Sequence, residues 1–178
     1  MAKHSATGQP RAEAAIVSSS HLVSEHSVEL SEFEFGLIVA HHAFARWMVR
    51  CMAAAGLPEL TPTDVMVLHH VNHRGRRKRL ADICFVLNFE DTHVVSYSLR
   101  KLAALGVVAG ERVGKEVLWG TTAAGRDAVA RYRRVRDRCL VPPGARQADE
   151  NARIGELAGV LRALSGLYDQ AARSAASL

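Results

Sequence analysis

The segment from Asp91 to Gly106 constrains the fold more than any other part of the sequence. Its apolar residues recur at intervals of three and four, the spacing of one helix face: Val95, Leu99, Leu102 and Leu105. Asp91 is a residue type that caps helix N-termini, and Gly106 is the type that ends them. The sequence therefore predicts a capped amphipathic helix from Asp91 to Leu105, with one buried face and one exposed face.

Three helices are predicted before this one. The first runs from Ser31 to the stop at Gly56, and its apolar stripe predicts a long, heavily buried helix: Phe33, Leu37, Ala40, Phe44, Trp47, Met48 and Cys51. The second begins with the Thr61-Pro62 pair, a usual N-cap and first helical residue, and ends near Asn72. The third is short, covers residues 80 to 87 and is closed by Asn88.

After Gly106, two short β-rich stretches flank a polar turn at residues 113 to 116, which indicates a hairpin. Thr121 and Thr122 then offer an N-cap for a basic helix that reaches about Cys139. The order helix, helix, helix, hairpin, helix predicts a mainly α fold with a small β-hairpin wing, that is, a winged helix-turn-helix.

The last segment repeats apolar residues at the spacing of a helix-bundle seam: Ile154, Leu157, Leu161, Leu164 and Tyr168. A single helix cannot bury such a stripe, so it must pack on the first helix or on another subunit. The predicted organisation is a flexible tail at 1–30 and a winged helix domain with the first dimerisation helix at 31–140. A linker at 141–148 and a C-terminal dimerisation helix at 149–178 follow.

Positive charge is concentrated in the middle of the chain. The net charge is +5, but residues 71 to 140 hold 15 Lys or Arg against 7 Asp or Glu, and the remainder is net negative. A basic segment between acidic ends is typical of a polyanion-binding surface. A merely solvated basic face is the alternative.

Composition narrows the class of protein. Hydrophobic residues make up 48% and charged residues 23%, as in soluble globular proteins, and no apolar run is long enough to span a membrane. The N-terminus does not resemble a secretory signal, and the cysteines are odd in number and widely spaced, so we expect a cytoplasmic protein without disulfides. No nucleophile motif, phosphate loop or cofactor motif is present, so we expect neither an enzyme nor a bound cofactor.

Two segments resemble the MarR family of bacterial regulators. Val95 to Val108 (VSYSLRKLAALGVV) is similar to that family's recognition helix running into the wing. Thr121 to Gly125 (TTAAG) is similar to its Leu-Thr-x-x-Gly segment, with Thr121 in place of Leu.

The resemblance implies a homodimer, formed by the first and last helices, that binds double-stranded DNA. It assigns the major groove to the outer face of the predicted recognition helix: His93, Val94, Ser96, Tyr97 and Arg100. It assigns the minor groove to Arg112 and Lys115 in the wing.

The densest basic run, Arg74 to Arg79, has five cations in six residues. Arg76, Arg77 and Lys78 in this run are predicted to contact the phosphate backbone without sequence preference. A solvated loop is the alternative.

Other functions stay open at this stage. The short wing and the acidic pair Glu90-Asp91 also suit a winged-helix dimerisation or protein-interaction module with degenerate DNA binding. The histidine clusters at 41–42 and 69–73 allow a metal-sensing or pH-responsive regulator, and a small-molecule effector is a further alternative. Among the cysteines, only Cys139 is a candidate redox sensor, because Cys51 and Cys84 lie on apolar stripes.

Overall fold

A computed structural model of the chain describes residues 27–141 and 148–178. Its helices and strands follow the predicted order with the addition of β1: α1 (Val28–Ala54), α2 (Pro62–Asn72), β1 (Lys78–Arg79), α3 (Leu80–Leu87), α4 (Thr92–Ala104), β2 (Val108–Val113), β3 (Glu116–Thr121), α5 (Ala123–Leu140) and α6 (Ala148–Ala175). The predicted fold class, mainly α with a β wing, is confirmed. The predicted tail at 1–30 and linker at 141–148 fall largely outside the described residues.

The predicted helix ends are set by local hydrogen bonds. Thr61 caps α2 in a reciprocal box with Asp64, and Asp91 accepts a hydrogen bond from the backbone of His93 at the start of α4. Asn88 ends α3 in the left-handed conformation, at φ 56°, which an asparagine tolerates better than most residues. Thr122 caps α5. These caps make the turns between the helices short and well defined.

The wing belongs to a three-stranded antiparallel sheet in the order β1-β3-β2. The sequence analysis missed β1, a strand of two residues that pairs with Leu118 and Trp119. Gly125 lets α5 start against this sheet, since a Cβ at this position would lie 2.0 Å from the carbonyl oxygen of Val107. The helix and the sheet are thereby brought into close contact.

The core lies between the C-terminal part of α1 and helices α2 to α5. Its largest fully buried apolar side chains are Met52, Leu68, Ile83, Leu99, Leu102, Val65, Val67, Val71 and Val95. The inner face predicted for α4 is confirmed at Val95, Leu99 and Leu102, whereas Leu105 is half-buried.

The prediction that α1 is a heavily buried helix is wrong for the single chain. Only Met48, Cys51 and Met52 of this helix are buried, while Ile38 and Phe44 are each 56% exposed. Phe33 and Trp47 are half-buried, and the remainder of the stripe is exposed because no other described element covers it.

Helix α6 has few contacts with the rest of the chain. Tyr168 donates a hydrogen bond to Glu34 of α1, and Asn88 donates one to Asp169. Its apolar stripe is mostly exposed, with Leu157 at 61%. No helix of residues 27–141 or 148–178 is both long and apolar enough to cross a membrane.

Candidate nucleic-acid interface

The outer face of α4 presents a compact group of side chains to solvent. His93, Val94, Tyr97 and Arg100 are exposed, Tyr97 by 66%, and Ser96 is half-buried. The Nε of Arg100 lies 3.4 Å from the carbonyl oxygen of Ser96, one turn earlier. The face combines hydrogen-bond donors and acceptors with one apolar side chain, the types that contact base edges.

The wing places two cations at its tip. Gly114 has a positive φ of 62° and forms the turn together with Lys115. The Nε of Arg112 lies 3.4 Å from the carbonyl oxygen of Gly114. Within the described residues neither Arg112 nor Lys115 forms an ion pair, so both charges are available to a polyanion.

The basic run at 74–79 is arranged differently from the sequence expectation. The ammonium group of Lys78 turns inward and donates to the carbonyl oxygens of Val71, His73 and Arg76 at 3.1, 2.7 and 3.2 Å. It thereby satisfies carbonyl groups at the C-terminal end of α2 and beyond. In this arrangement the group predicted to contact phosphate is directed at the protein's own backbone.

The neighbouring arginines pair with acids of the wing. Arg77 lies 2.8 Å from Glu111 and Arg79 lies 3.1 Å from Glu116. Lys78 pairs with Trp119, so residues 76 and 77 lie toward the base of the sheet, about 10 Å or more from its tip at the usual rise per residue. The structure thus separates these residues from the cations at the wing tip.

A buried ionic cluster joins α4 to α2. Ser98 and Lys101 of α4 both donate to the carboxylate of Asp64, which is 1% exposed. Burial opposes ionisation of Asp64, but hydrogen bonds from Lys101, Ser98 and Thr61 outweigh it and lower the pKa of this carboxyl. The sequence analysis assigned Asp64 only to the first turn of α2.

A cavity of about 760 Å³ lies among α1, α2, α3 and α5. Its lining includes large apolar side chains: Phe44, Trp47, Met48, Met66, Val86 and Leu140. The basic side chains are His69, His70, His73, Arg133 and Arg136, and no acidic residue lines it. The sequence could not reveal this cavity, because its walls come from four separate helices.

His69 is the most unusual group in this cavity. Its Nε2 atom is buried and has no hydrogen-bond partner in the described part of the chain. The ring packs edge-to-face on Tyr132 with centroids 4.5 Å apart. Burial lowers the pKa of His69, so the neutral imidazole is favoured in the folded state.

We expect acidification to destabilise the protein through His69. The pKa of this histidine is lower in the folded state than its ordinary value of about 6.5. The unfolded state therefore binds a proton first, and the free energy of unfolding falls as the pH drops below about 6.5 toward the folded pKa. His69→Phe keeps a ring against Tyr132 and cannot be protonated, so its stability should fall less. Urea unfolding between about pH 7 and pH 5 measures this difference.

The matched control for this prediction is His93→Phe, at an exposed position on α4. An equal flattening of the pH dependence in both variants would contradict the assignment to His69.

The remaining candidate sites receive less support from the geometry. No group of three His, Cys, Asp or Glu among residues 27–141 and 148–178 is arranged to hold a metal ion. Cys51 and Cys84 are buried, and burial is the main cause that raises the pKa of each thiol. Cys139 is exposed, as predicted.

Comparisons with known proteins agree with this architecture. Residues 60–125 match the family model of a winged helix DNA-binding domain. AbfR of Staphylococcus epidermidis has a similar structure, with a TM-score of 0.65 at 16% identity over 80% of this chain and 96% of that one. A search of curated proteins finds no significant match to the sequence.

Two further solved structures have the same fold. A MarR family regulator from Neisseria meningitidis gives a TM-score of 0.58 at 16% identity, over 80% of this chain and 94% of that one. The transcriptional repressor CouR, solved bound to a 23-mer DNA duplex, gives 0.58 at 20% identity, over 76% and 96%. Residues 60–125 are therefore similar to a winged helix DNA-binding domain, and the chain shares its fold with MarR family structures, so the predicted resemblance is confirmed.

Proposed function

We propose that this chain, a winged helix protein with the MarR fold, is a homodimeric transcriptional regulator that reads a pseudo-palindromic DNA site through α4. The observation that carries the proposal is the outer face of α4, where Tyr97 and Arg100 project from a helix whose other face is buried. A helix presented in this way fits the major groove, which accommodates one α-helix. CouR, which shares the fold, was solved on duplex DNA.

The roles within the groove follow from side-chain chemistry. Arg100 donates two hydrogen bonds to a guanine edge, and Val94 contacts a thymine methyl group. His93, Ser96 and Tyr97 bond bases or phosphate oxygens. In this arrangement Arg100 contributes most to sequence preference, because a bidentate contact discriminates best among base pairs.

The proposed dimer explains the exposed apolar faces of α1 and α6. Ile38 and Phe44 of α1, with Leu157 and Leu161 of α6, are exposed in the single chain, and exposed apolar surface of this kind marks an interaction site. A second copy of the chain covers both faces in a symmetric contact. The two α4 helices then meet two half-sites about one helical turn apart.

Phosphate contacts are proposed for the wing tip, at Arg112 and Lys115. Arg76 adds positive charge near the base of the wing, whereas the charge of Arg77 is compensated by Glu111 and Lys78 stabilises the end of α2. Affinity for a duplex is expected to fall steeply with salt, with a slope of about −0.9 for each phosphate contact in a plot of log K against log salt.

The wing contribution is tested by Arg112→Ala with Lys115→Ala. This double variant should bind all duplexes more weakly and lower the salt slope by about 2 for each wing, since each lost phosphate contact removes about 1. Fluorescence anisotropy on a labelled duplex measures the slope. Arg134→Ala, on the exposed side of α5, is the control and should leave it unchanged. An unchanged salt slope in the double variant would contradict the wing contacts. A wild-type protein that fails to bind duplex DNA at low salt would favour the alternative of a protein-interaction module.

A second candidate function, sensing of a small-molecule effector, is favoured by the cavity around His69. A buried polar atom without a partner is costly, and a ligand that bonds Nε2 removes this cost. The mixture of apolar and basic lining residues suits a molecule with an apolar body and an anionic or hydrogen-bond-accepting group. Arg133 and Arg136 line the same cavity and are the cations proposed to hold such a group.

Anilinonaphthalene sulfonate is a suitable probe, because it combines an apolar body with an anion. His69→Phe and Arg133→Ala should each weaken its binding about fivefold or more, the effect of losing one hydrogen bond. Arg134→Ala, outside the cavity, should not. Equal affinity in all four proteins would place the probe elsewhere and contradict this candidate.

A further inference from the structure

The contact between α2 and α4 contains two buried polar side chains, Asp64 and Ser98. They are 1% and 2% exposed and lie within an otherwise apolar core. Most buried polar groups are hydrogen-bonded, because an unpaired one is costly. The hydrogen bonds of Asp64 and Ser98 therefore show how these two groups are tolerated in the core.

Both oxygens of the Asp64 carboxylate accept hydrogen bonds. Oδ1 accepts from the hydroxyl of Ser98 at 2.5 Å, and Oδ2 accepts from Nζ of Lys101 at 2.7 Å and from the backbone of Thr61 at 2.9 Å. Lys101 also donates to the carbonyl oxygen of Glu59 at 2.7 Å. Two side chains one turn apart on α4 are thus bound to the N-terminal end of α2 and the loop before it.

These bonds restrict α4 in a way that its apolar contacts do not. Burial of Val95, Leu99 and Leu102 favours packing but is not directional, so small rotations or shifts of the helix cost little. Hydrogen bonds to a buried carboxylate weaken steeply with angle and distance. A rotation or slide of α4 that breaks the Ser98 contact leaves Oδ1 of the buried Asp64 carboxylate without its hydrogen bond.

The position of these anchors matters for reading DNA. Ser98 follows Tyr97 directly, and Lys101 follows Arg100 directly. Successive residues on a helix are about 100° apart, so each anchor defines the direction of the exposed side chain beside it. On α4, each side chain that bonds to Asp64 therefore directly follows a side chain that is proposed to contact DNA.

We propose that Asp64 is a positioning residue for DNA recognition, which sets the rotation and depth of α4 through Ser98 and Lys101. The proposal rests on the proposed function of α4. Asp64 itself is buried at the contact between α2 and α4 and is not proposed to contact DNA. Its effect is on sequence preference, because base contacts depend on side-chain placement more than contacts to phosphate do.

A purely structural role is the competing explanation, and stability alone does not separate the two. Removing one member of a buried charge pair destabilises a protein in either case. The distinguishing quantity is a ratio of two affinities, measured at the same salt concentration. One is for a duplex that the wild-type protein selects from a random pool, and the other is for a duplex with the same bases in scrambled order. A merely structural residue changes the folded fraction, which affects both affinities equally.

The test compares Asp64→Asn and Ser98→Ala with Met52→Ala, a buried substitution in α1 outside the cluster. Circular dichroism and urea unfolding establish that each variant is folded at the temperature of the binding experiment. Ser98→Ala is the milder change and serves if Asp64→Asn does not fold. Both cluster variants should lose about tenfold or more in the affinity ratio, the scale of one base contact. Affinity for the scrambled duplex should stay within about twofold, as phosphate contacts are retained. Met52→Ala should lower stability and keep the ratio.

Three outcomes separate the claims. A wild-type protein without any preference between duplexes would overturn the proposed function and this inference together. A preference that survives in a folded cluster variant would overturn the positioning role alone. An equal loss of preference in Met52→Ala would also overturn it, because the effect would then follow stability.

Discussion

Replacing both Tyr97 and Arg100 with alanine is expected to abolish specific DNA binding and leave the dimer intact. Both side chains are exposed in the single chain, so their removal leaves the buried face of α4 unchanged. Each lost base contact costs about 1–3 kcal/mol in affinity. A symmetric dimer loses these contacts in both half-sites, so the affinity should fall by about a hundredfold or more.

Gel shifts on a duplex selected from a random pool measure this loss of affinity. Sedimentation velocity shows whether the variant is still a dimer. Arg134→Ala is the matched control, since it removes an exposed arginine on α5, outside the proposed interface. Residual affinity of the double variant should equal that for a scrambled duplex, because contacts to phosphate remain. Unchanged gel shifts would show that α4 is not the reading helix.

Charged substitutions in the apolar stripe of α6 are expected to produce monomers. Leu157 and Leu161 are 61% and 47% exposed in the single chain, and burial of a leucine side chain contributes about 1.5–3 kcal/mol. In a symmetric dimer each substitution counts twice. Leu157→Asp with Leu161→Asp also places carboxylates in an apolar contact without partners, which adds a large desolvation cost.

The consequence for DNA binding follows from the loss of the second half-site. The monomeric variant should bind a two-half-site duplex no better than a duplex with one half-site. Ala163→Asp is the matched control, because residue 163 lies on the opposite side of α6 from the stripe and the same residue type is introduced. Dimers that persist in the double variant, or a monomeric wild-type protein, would contradict the proposed assembly.

Local signals predicted the part of the fold that carries α4. Asp91, Asn88 and Thr122 act within a few residues of their own positions, so their types indicate helix ends directly. The three-and-four spacing of Val95, Leu99 and Leu102 fixed the buried face, and hence the exposed one. The helix ends and the buried face depend on interactions between residues close together in the sequence, and both predictions were confirmed.

Contacts between distant residues explain what was missed. Lys78 was counted as a free cation, but its ammonium group turns toward α2 after a loop in which Arg74 adopts a positive φ of 62°. The two residues of β1 carry no periodic signal. Ser98 and Asp64 are 34 residues apart, and the cavity around His69 needs four helices in place. Periodicity along one helix contains no information on such pairs.

The error about α1 has a different cause. Its apolar stripe was detected correctly, but a stripe states only that a surface is apolar and not which chain covers it. Phe44 and Ile38 remain exposed because the described part of one chain offers them no partner. The same reasoning applies to α6, and it connects the failed expectation to the proposed dimer.

Selection of bound duplexes from a random pool tests whether α4 of a dimer reads a specific DNA site. We expect enrichment of one site with two inverted half-sites, whose centres lie about 10 base pairs apart. We also expect Arg100→Ala to select sites with relaxed preference at one symmetric pair of positions. A pool without enrichment, or the same site selected equally well by the Tyr97 and Arg100 double variant, would contradict this role of α4.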